Sequence, residues 1–180
     1  MSDKHSLYFI ALLPPYNKLK SIQNIKEYVA STYHCKHALK SPPHITIVPP
    51  FQYPIEKEKF LYNKIEELNK HLNKTTINIH IDGYAIFLPK VIFINVLMSL
   101  ELVKLYNQVN DFVKTELKIC KDLPPRPFHP HITIAFKDIK KTLVQDILKD
   151  LQEKFPIQDS FSVNKITLLK HNGRYWEIAI

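Results

Sequence analysis

The chain has 180 residues, 45 % of them hydrophobic, and a formal net charge of +8, as expected for one globular domain with a basic surface. The sequence pI of about 9.3 favours an anionic partner such as nucleic acid. With only two glycines and two cysteines, the chain lacks the residues for glycine-rich phosphate loops, disulfide frameworks and paired-cysteine zinc sites.

The first half of the chain predicts strands and helices in alternation. Short apolar runs bounded by turn residues indicate strands, and apolar residues three or four positions apart indicate helices. The pairs Pro14-Pro15 and Pro49-Pro50 are expected to end the first two strands. The predicted order is a strand at 7–13, a helix at 17–32, a strand at 44–48, a helix at 61–72 and a strand at 76–87.

The second half of the chain repeats this order. Asn172-Gly173 is a strong hairpin signal near its end. The predicted elements are a strand at 91–98, a helix at 102–113, a strand at 131–136, a helix at 143–155, and strands at 161–169 and 175–180. We therefore expect a single domain of two lobes, about residues 1–90 and 91–180. A pseudo-two-fold axis would relate them, with both histidine-containing strands facing one cleft.

Two copies of the sequence Pro-His-Ile-Thr-Ile begin the two histidine-containing strands. Successive side chains of a strand point to opposite faces, so His44 shares a face with Thr46, and His131 shares a face with Thr133. A pseudo-symmetric arrangement of the strands would place two imidazoles and two hydroxyls around one pocket.

This set of side chains suits phosphodiester chemistry without a metal. Imidazole has an unperturbed pKa of about 6.5, so near pH 7 one ring can accept a proton from the nucleophile while the other donates one to the leaving oxygen. Threonine hydroxyls can donate hydrogen bonds to the non-bridging phosphate oxygens, where charge builds up. The near symmetry leaves open whether His44 or His131 is the acid.

The segments 43–47 and 128–134 resemble the paired signatures of the two-histidine (2H) phosphoesterase superfamily, and most of all the bacterial 2′-5′ RNA ligase family with its YjcG-like members. The segments 8–12 and 49–51 are also similar to that branch. The resemblance implies an α+β fold of two lobes, with two antiparallel sheets flanking a central cleft and helices on the outside. It also implies functional roles for the histidine and threonine of each motif.

Members of this family act on 2′,3′-cyclic phosphates, 2′-5′ linkages or 3′-phosphoryl RNA ends, and some ligate RNA. The resemblance therefore implies a phosphodiesterase acting on RNA ends or small oligonucleotides. One departure bears on substrate contacts: Lys40-Ser41-Pro42-Pro43 stands where the best-studied ligases have an arginine-aromatic sequence.

Several other side chains are candidates for substrate contacts. Basic side chains could contact phosphate, and aromatic rings could stack on a base. The candidates are Arg126 and Lys170 for phosphate and Phe51, Phe128 and Tyr175 for a base, with Arg174 and Trp176 as further examples of each type.

The pair His129 and His131 raises the alternative of a metal hydrolase, because His-x-His at a strand end can bind a metal. No carboxylate lies near either motif in the sequence, so we expect no metal and no cofactor. Further alternatives are a non-catalytic RNA or nucleotide-binding module on the same fold, an RNA ligase, and membership of the tRNA-splicing phosphate-hydrolysing branch.

The partners and location also follow from the sequence. The apolar runs are far shorter than the roughly 20 residues that span a bilayer, and the N-terminus makes a poor signal peptide. We therefore expect a cytoplasmic monomer with an RNA or nucleotide phosphodiester substrate, no membrane contact and no obligate protein partner.

Overall fold

A computed structural model describes residues 4–72, 74–119 and 127–180. The predicted α+β class is confirmed, and the order of helices and strands agrees with the sequence prediction except at two places. In chain order the elements are β1 (His5–Leu12), α1 (Tyr16–Tyr33), β2 (Ile45–Pro54), α2 (Glu58–Leu72), β3 (Ile77–Phe87), β4 (Val91–Val96), α3 (Leu100–Thr115), β5 (His131–Ala135), α4 (Val144–Lys154), β6 (Gln158–Val163), β7 (Thr167–His171) and β8 (Trp176–Ile178).

The first difference is that β2 continues through Pro49-Pro50, which were predicted to end it. The pairing of β1 with β2 shifts register between Tyr8 and Ile10, so that both prolines lie opposite the single residue Phe9. A β-bulge of this kind leaves the extra residue outside the hydrogen-bond ladder, where the missing N–H of a proline is tolerated.

The second difference is that the strand predicted at 161–169 is two strands, one at the edge of the sheet and one within it. Strand β6 ends at Val163 and pairs with β3, whereas β7 begins at Thr167 and pairs with β1. Between them, the Asn69 side chain of α2 donates to the Ile166 carbonyl at 3.0 Å and accepts from the Ile166 N–H at 2.9 Å. The polar pair Asn164-Lys165 interrupts the apolar alternation at this crossing, and the sequence prediction passed over that interruption.

The strands form one antiparallel sheet in the order β6-β3-β4-β5-β2-β1-β7-β8. The predicted pair of sheets corresponds to its two four-stranded halves, which meet where Ile45 of β2 pairs with Ile132 of β5. Each half takes strands from both halves of the sequence, because β3 lies beside β4 and β7 lies beside β1. The sequence repeat and the two halves of the sheet therefore do not coincide.

The main hydrophobic core lies between the four helices and one face of the sheet. Buried residues of the helices, such as Leu61 and Val109, pack with alternate residues of the strands, such as Ile45 and Ile132. The opposite face carries a separate small cluster of Phe9, Ala11, Leu169 and the half-buried Trp176. That face therefore remains available for a cleft. None of the helices within the described residues is long and apolar enough to cross a membrane.

Candidate active site

The two histidine motifs meet at the centre of the sheet. Ile45 of β2 and Ile132 of β5 are antiparallel partners, so the flanking positions place His44 beside Thr133 and Thr46 beside His131. Residues two apart in a strand share a face, and so do cross-strand partners. All four polar side chains therefore lie on one face, and the two histidines are diagonal neighbours, a relationship that corresponds to about 7–8 Å.

The isoleucines between them fix this arrangement. Ile45, Ile132 and Ile134 are fully buried and Ile47 is 1 % exposed, all on the helix-covered face. A slip of one residue in either strand would turn these side chains out of the core and bring polar groups into it. Hydrophobic packing on one face thus holds the histidines and threonines on the other.

Each histidine ring is oriented by the same local hydrogen bond. The Nδ1 atom of His44 lies 2.7 Å from the carbonyl of Pro42, and that of His131 lies 2.7 Å from the carbonyl of His129. A carbonyl oxygen can only accept, so Nδ1 carries the hydrogen in both rings and Nε2 is free to exchange a proton with a substrate.

The surroundings lower the pKa of both imidazoles. For His44, burial brings the pKa to about 4, the bond to Pro42 opposes this, and the charges of Lys26 and His131 lower it further. For His131, burial lowers the pKa, the bond to the His129 carbonyl opposes this, and the His129 side chain lowers it. Without an anion bound, both rings are therefore neutral near pH 7, and a bound phosphate would favour the protonated form of either.

Aromatic side chains on neighbouring strands surround the two imidazoles. The Phe9 ring lies 4.7 Å from that of His44 and meets Trp176 edge-on at 4.6 Å. On the other side, the His131 ring contacts Phe87 at 5.0 Å and Phe93 at 5.1 Å. These rings cover part of each imidazole, and the resulting loss of hydration is the physical origin of the lowered pKa values.

A cavity of about 230 Å³ opens beside His44. Its lining combines polar side chains of both motifs with aromatic and small residues, but no lysine or arginine among the residues that the structure describes. The lining residues are Phe9, Ala38, Ser41, His44, Thr46, Pro50, Thr133, Phe136 and Trp176. His131 stands next to this cavity through its pairing with Thr46, whereas the stacked rings of Phe87 and Phe93 fill the space on its own side.

Two of the predicted substrate contacts lie on the helix-covered face instead of in the cleft. Lys170 is the cross-strand partner of Tyr8 and forms an ion pair with Glu58, the first residue of α2. Phe51 is 6 % exposed and stacks on Tyr8 at 6.1 Å. Strand alternation accounts for both positions, because their neighbours Leu169 and Pro50 face the cleft side.

The remaining predicted contacts also lie outside the cavity lining. The Phe128 ring stacks on Tyr106 of α3 with centroids 4.0 Å apart. Tyr175 is 40 % exposed in the turn between β7 and β8, where the Arg174 guanidinium lies over its ring. Arg126 lies outside the described residues. Of the aromatic candidates, Trp176 is the one that lines the cavity.

Other residues of the site were not singled out from the sequence. Phe9 and Ser41 line the cavity, and Lys26 of α1 is buried close enough to act on His44. A signal for Lys26 was present, because it stands four residues after Ile22 and three before Val29 on the apolar face of α1.

The alternative metal pair has no third ligand among the described residues. The His129 and His131 rings are 6.3 Å apart and both contact Phe87 and Phe93. Within the ranges given above, no group of three or more histidine, cysteine, aspartate or glutamate side chains is arranged to hold a metal ion.

Comparisons with known proteins agree with these observations on the family and on the fold. The sequence matches the 2′-5′ RNA ligase superfamily over residues 14–174. It is 29 % identical over 132 residues to a Bacillus licheniformis protein named provisionally as a phosphoesterase, covering 72 % of this chain and 70 % of that protein.

Solved structures share the fold at low sequence identity. Escherichia coli LigT complexed with 3′-AMP superposes with a TM-score of 0.61 at 18 % identity, covering 98 % of this chain and 96 % of LigT. A protein from Thermus thermophilus superposes with a TM-score of 0.60 at 15 % identity, covering 97 % and 95 % of the two chains.

Proposed function

The chain belongs to the 2′-5′ RNA ligase superfamily of 2H phosphoesterases, and from this membership we propose that it is a metal-independent phosphodiesterase acting on RNA ends or small oligonucleotides. His44 and His131 form the general acid–base pair, and Thr46 and Thr133 hold the phosphate. The scissile group is a 2′,3′-cyclic phosphate or a 2′-5′ phosphodiester.

The observation that carries this proposal is the pairing of Ile45 with Ile132. That single register brings two imidazoles and two hydroxyls from distant parts of the chain onto one open face. Both imidazoles keep Nε2 free through matched hydrogen bonds of Nδ1 to backbone carbonyls. Binding alone would not need two rings with the same free nitrogen, which favours catalysis over a non-catalytic module.

In the proposed hydrolysis of a 2′,3′-cyclic phosphate, each histidine ring transfers one proton. Nε2 of His44, which is neutral above about pH 4, accepts a proton from water as the water oxygen forms a bond to phosphorus. His131, protonated when the phosphate anion is bound, donates from Nε2 to the ribose oxygen whose bond to phosphorus breaks. The threonine hydroxyls donate to the non-bridging oxygens as their charge grows. The product is a phosphomonoester with a free ribose hydroxyl.

The shape of the site favours the end of a nucleotide chain over a duplex. A cavity of about 230 Å³ with Phe9, Phe136 and Trp176 in its walls can enclose one phosphate and part of a nucleoside. LigT, which shares the fold, has been crystallised with 3′-AMP and with NADP⁺. By analogy, we propose that this cleft binds a nucleotide or a single RNA terminus.

The test is turnover of a substrate panel by the purified chain, with product analysis. The panel contains 2′,3′-cyclic nucleotides, 2′-5′ oligoadenylates and RNA with a cyclic-phosphate end, each with and without excess EDTA. We expect hydrolysis of at least one class that persists in EDTA and disappears in His44→Ala. Hydrolysis that is lost with EDTA and restored by zinc or manganese would support the His129/His131 metal alternative. Binding without turnover would support a binding module.

A further inference from the structure

Lys26 occupies a core-facing position of α1. Ile22, Val29 and Ala30 are buried on the same side of the helix, and Lys26 itself is only 2 % exposed. Lysine is rarely buried without an anionic partner, because removing an ammonium group from water is costly. An apolar residue would fill this position at a lower cost, so the charge calls for an explanation other than packing.

The contacts of Lys26 are unusual for a buried cation. Across the described ranges, the ion pairs of the molecule do not include Lys26. Its ammonium group instead donates a hydrogen bond of 2.6 Å to the backbone carbonyl of Ser41. Burial lowers the pKa of Lys26 to about 8, which leaves the group mostly protonated at neutral pH.

The Ser41 carbonyl belongs to the segment that leads into the first motif. Ser41 lines the cavity, and Pro42 provides the carbonyl that orients the His44 ring. Pro42 and Pro43 have no N–H, so these two residues can be anchored only through their carbonyls and side chains. The bond from Lys26 and the bond from His44 hold two consecutive carbonyls of the segment and fix the entry into β2.

The charge of Lys26 also acts on the His44 ring. The charged or titratable groups that act on His44 from the surrounding elements are Lys26 of α1 and His131 of β5, and both favour the neutral imidazole. The cavity lining has no lysine or arginine within the described part of the chain, so Lys26 supplies positive potential from beneath the site. In surroundings from which water is excluded, such a charge is weakly screened.

We infer that Lys26 is a positioning residue of the cleft: its buried ammonium group anchors, through the Ser41 carbonyl, the proline segment that presents His44. Its catalytic consequence rests on the proposed function, whereas its effect on the titration of His44 does not. Lys26 touches no reacting atom and acts through His44 and the Ser41 carbonyl.

The experiment compares Lys26→Met and Lys26→Arg with Ile22→Met, a control variant on the same buried face of α1. NMR titration of the His44 imidazole is measured for each protein, together with thermal unfolding and kcat and KM on the substrate that the panel identifies. In Lys26→Met the pKa of His44 should rise and kcat should fall roughly 10- to 100-fold, as for a misplaced catalytic group. KM should change less than kcat.

Stability and the conservative variant separate positioning from a structural role. Lys26→Met should unfold at the same or a higher temperature than the wild type, because the buried charge is gone. Lys26→Arg should retain the low pKa of His44 and more of the turnover. If His44 in Lys26→Met titrates as it does in Ile22→Met, and the two variants have the same kcat and KM, the inference is wrong.

Where Lys26→Met does not fold, Lys26→Gln is judged by the same measurements. Should no panel substrate be turned over, the proposed function fails while the NMR titration still decides the role of Lys26.

Discussion

The two sides of the cleft have the same local geometry in different surroundings. On both sides a histidine follows a proline, stands at the entry of a strand and directs Nδ1 to the carbonyl two residues earlier at 2.7 Å. The His44 side, however, opens onto the cavity and has Lys26 buried beneath it. On the His131 side, Phe87 and Phe93 fill the corresponding space.

This comparison shows what a repeated motif determines and what it leaves free. The motif sets the ring orientation and the free nitrogen of each histidine, because these depend on residues within two positions. The proton affinity of the His44 ring also depends on Lys26 of α1 and His131 of β5, which the repeat does not copy. Two equivalent motifs can therefore take different roles in one reaction.

The largest expected effect is the loss of either imidazole. His44→Ala and His131→Ala should each lower kcat/KM by about 10²–10⁴-fold while the fold stays intact, because each ring transfers a proton in the same step. The double variant should lose much less than the product of the two, since the rings act as one unit. Steady-state kinetics on the panel substrate, with circular dichroism for the fold, measures this.

A clear asymmetry between these two variants would sharpen the comparison. If only one of the two substitutions lowers kcat/KM, His44 and His131 do not act as acid and base in the same displacement reaction. Wild-type turnover in both single variants would mean that the active site is elsewhere. His71→Ala is a matched control, because His71 lies at an exposed helical position and its Nδ1 also bonds a backbone carbonyl. This variant should leave kcat/KM unchanged.

The next largest effect is the loss of a threonine hydroxyl. Thr46→Val and Thr133→Val preserve shape and should each cost about 2–4 kcal/mol of transition-state stabilisation, the range for a lost oxyanion donor. Thr76→Val at an exposed position outside the cleft is the control. Equal losses in kcat/KM would indicate that the phosphate lies symmetrically between the strands. An effect confined to KM would contradict transition-state contacts and indicate ground-state binding only.

The pH dependence tests the difference in proton affinity. With His44 as the base, kcat/KM should fall as pH drops through a pKa of about 4, where His44 becomes protonated. With His131 as the acid, kcat/KM should fall as pH rises through a pKa below 6.5. The optimum of kcat/KM should therefore be acidic, between these limits, and the basic limb of kcat should lie at higher pH because bound phosphate raises the pKa of His131.

The limbs of this profile belong to a coupled pair, so their assignment needs an independent measurement. NMR titration of both imidazoles in the free protein provides it. A higher pKa for His44 than for His131 would reverse the assignment of acid and base. A kcat/KM optimum above neutrality would contradict both assignments.

Salt should have the smallest effect. The cavity lining contains no lysine or arginine within the described ranges, so few counterions are released when an RNA end binds. The slope of log Kd against log salt should stay near that of about one phosphate, roughly 0.7 for a single strand, as the oligonucleotide is lengthened. A slope that grows with length would show that the basic surface also binds the strand.

The placement of the four polar side chains on one face was predictable because it depends on two short local patterns. His44-Ile45-Thr46 and its repeat need only strand alternation to bring each pair of polar side chains onto one face. The α+β class and most elements were predictable for the same reason, since hydrophobic periodicity is a local property.

What depended on distant residues was not predictable. Lys170 and Phe51 looked like substrate contacts, but their face of the sheet is set by pairing with β1. The division of 161–169 into two strands depends on Asn69, nearly 100 residues earlier in the chain, and a β-bulge opposite Phe9 allows prolines inside β2. In each case a tertiary contact produces a structure that differs from the one that the local sequence pattern predicts.

The exchange of strands between the halves of the sheet limits how the protein can move and how the chain can be divided. Because β3 completes the half built around β4, and β7 completes the half built around β1, the chain crosses between the halves more than once. The halves therefore cannot swing apart about one hinge as separate domains do, and the distance between the His44 and His131 rings is set during folding. A cut in the turn after Phe87 would give two fragments with bare sheet edges, prone to aggregate alone and able to rebuild the cleft only by associating with each other.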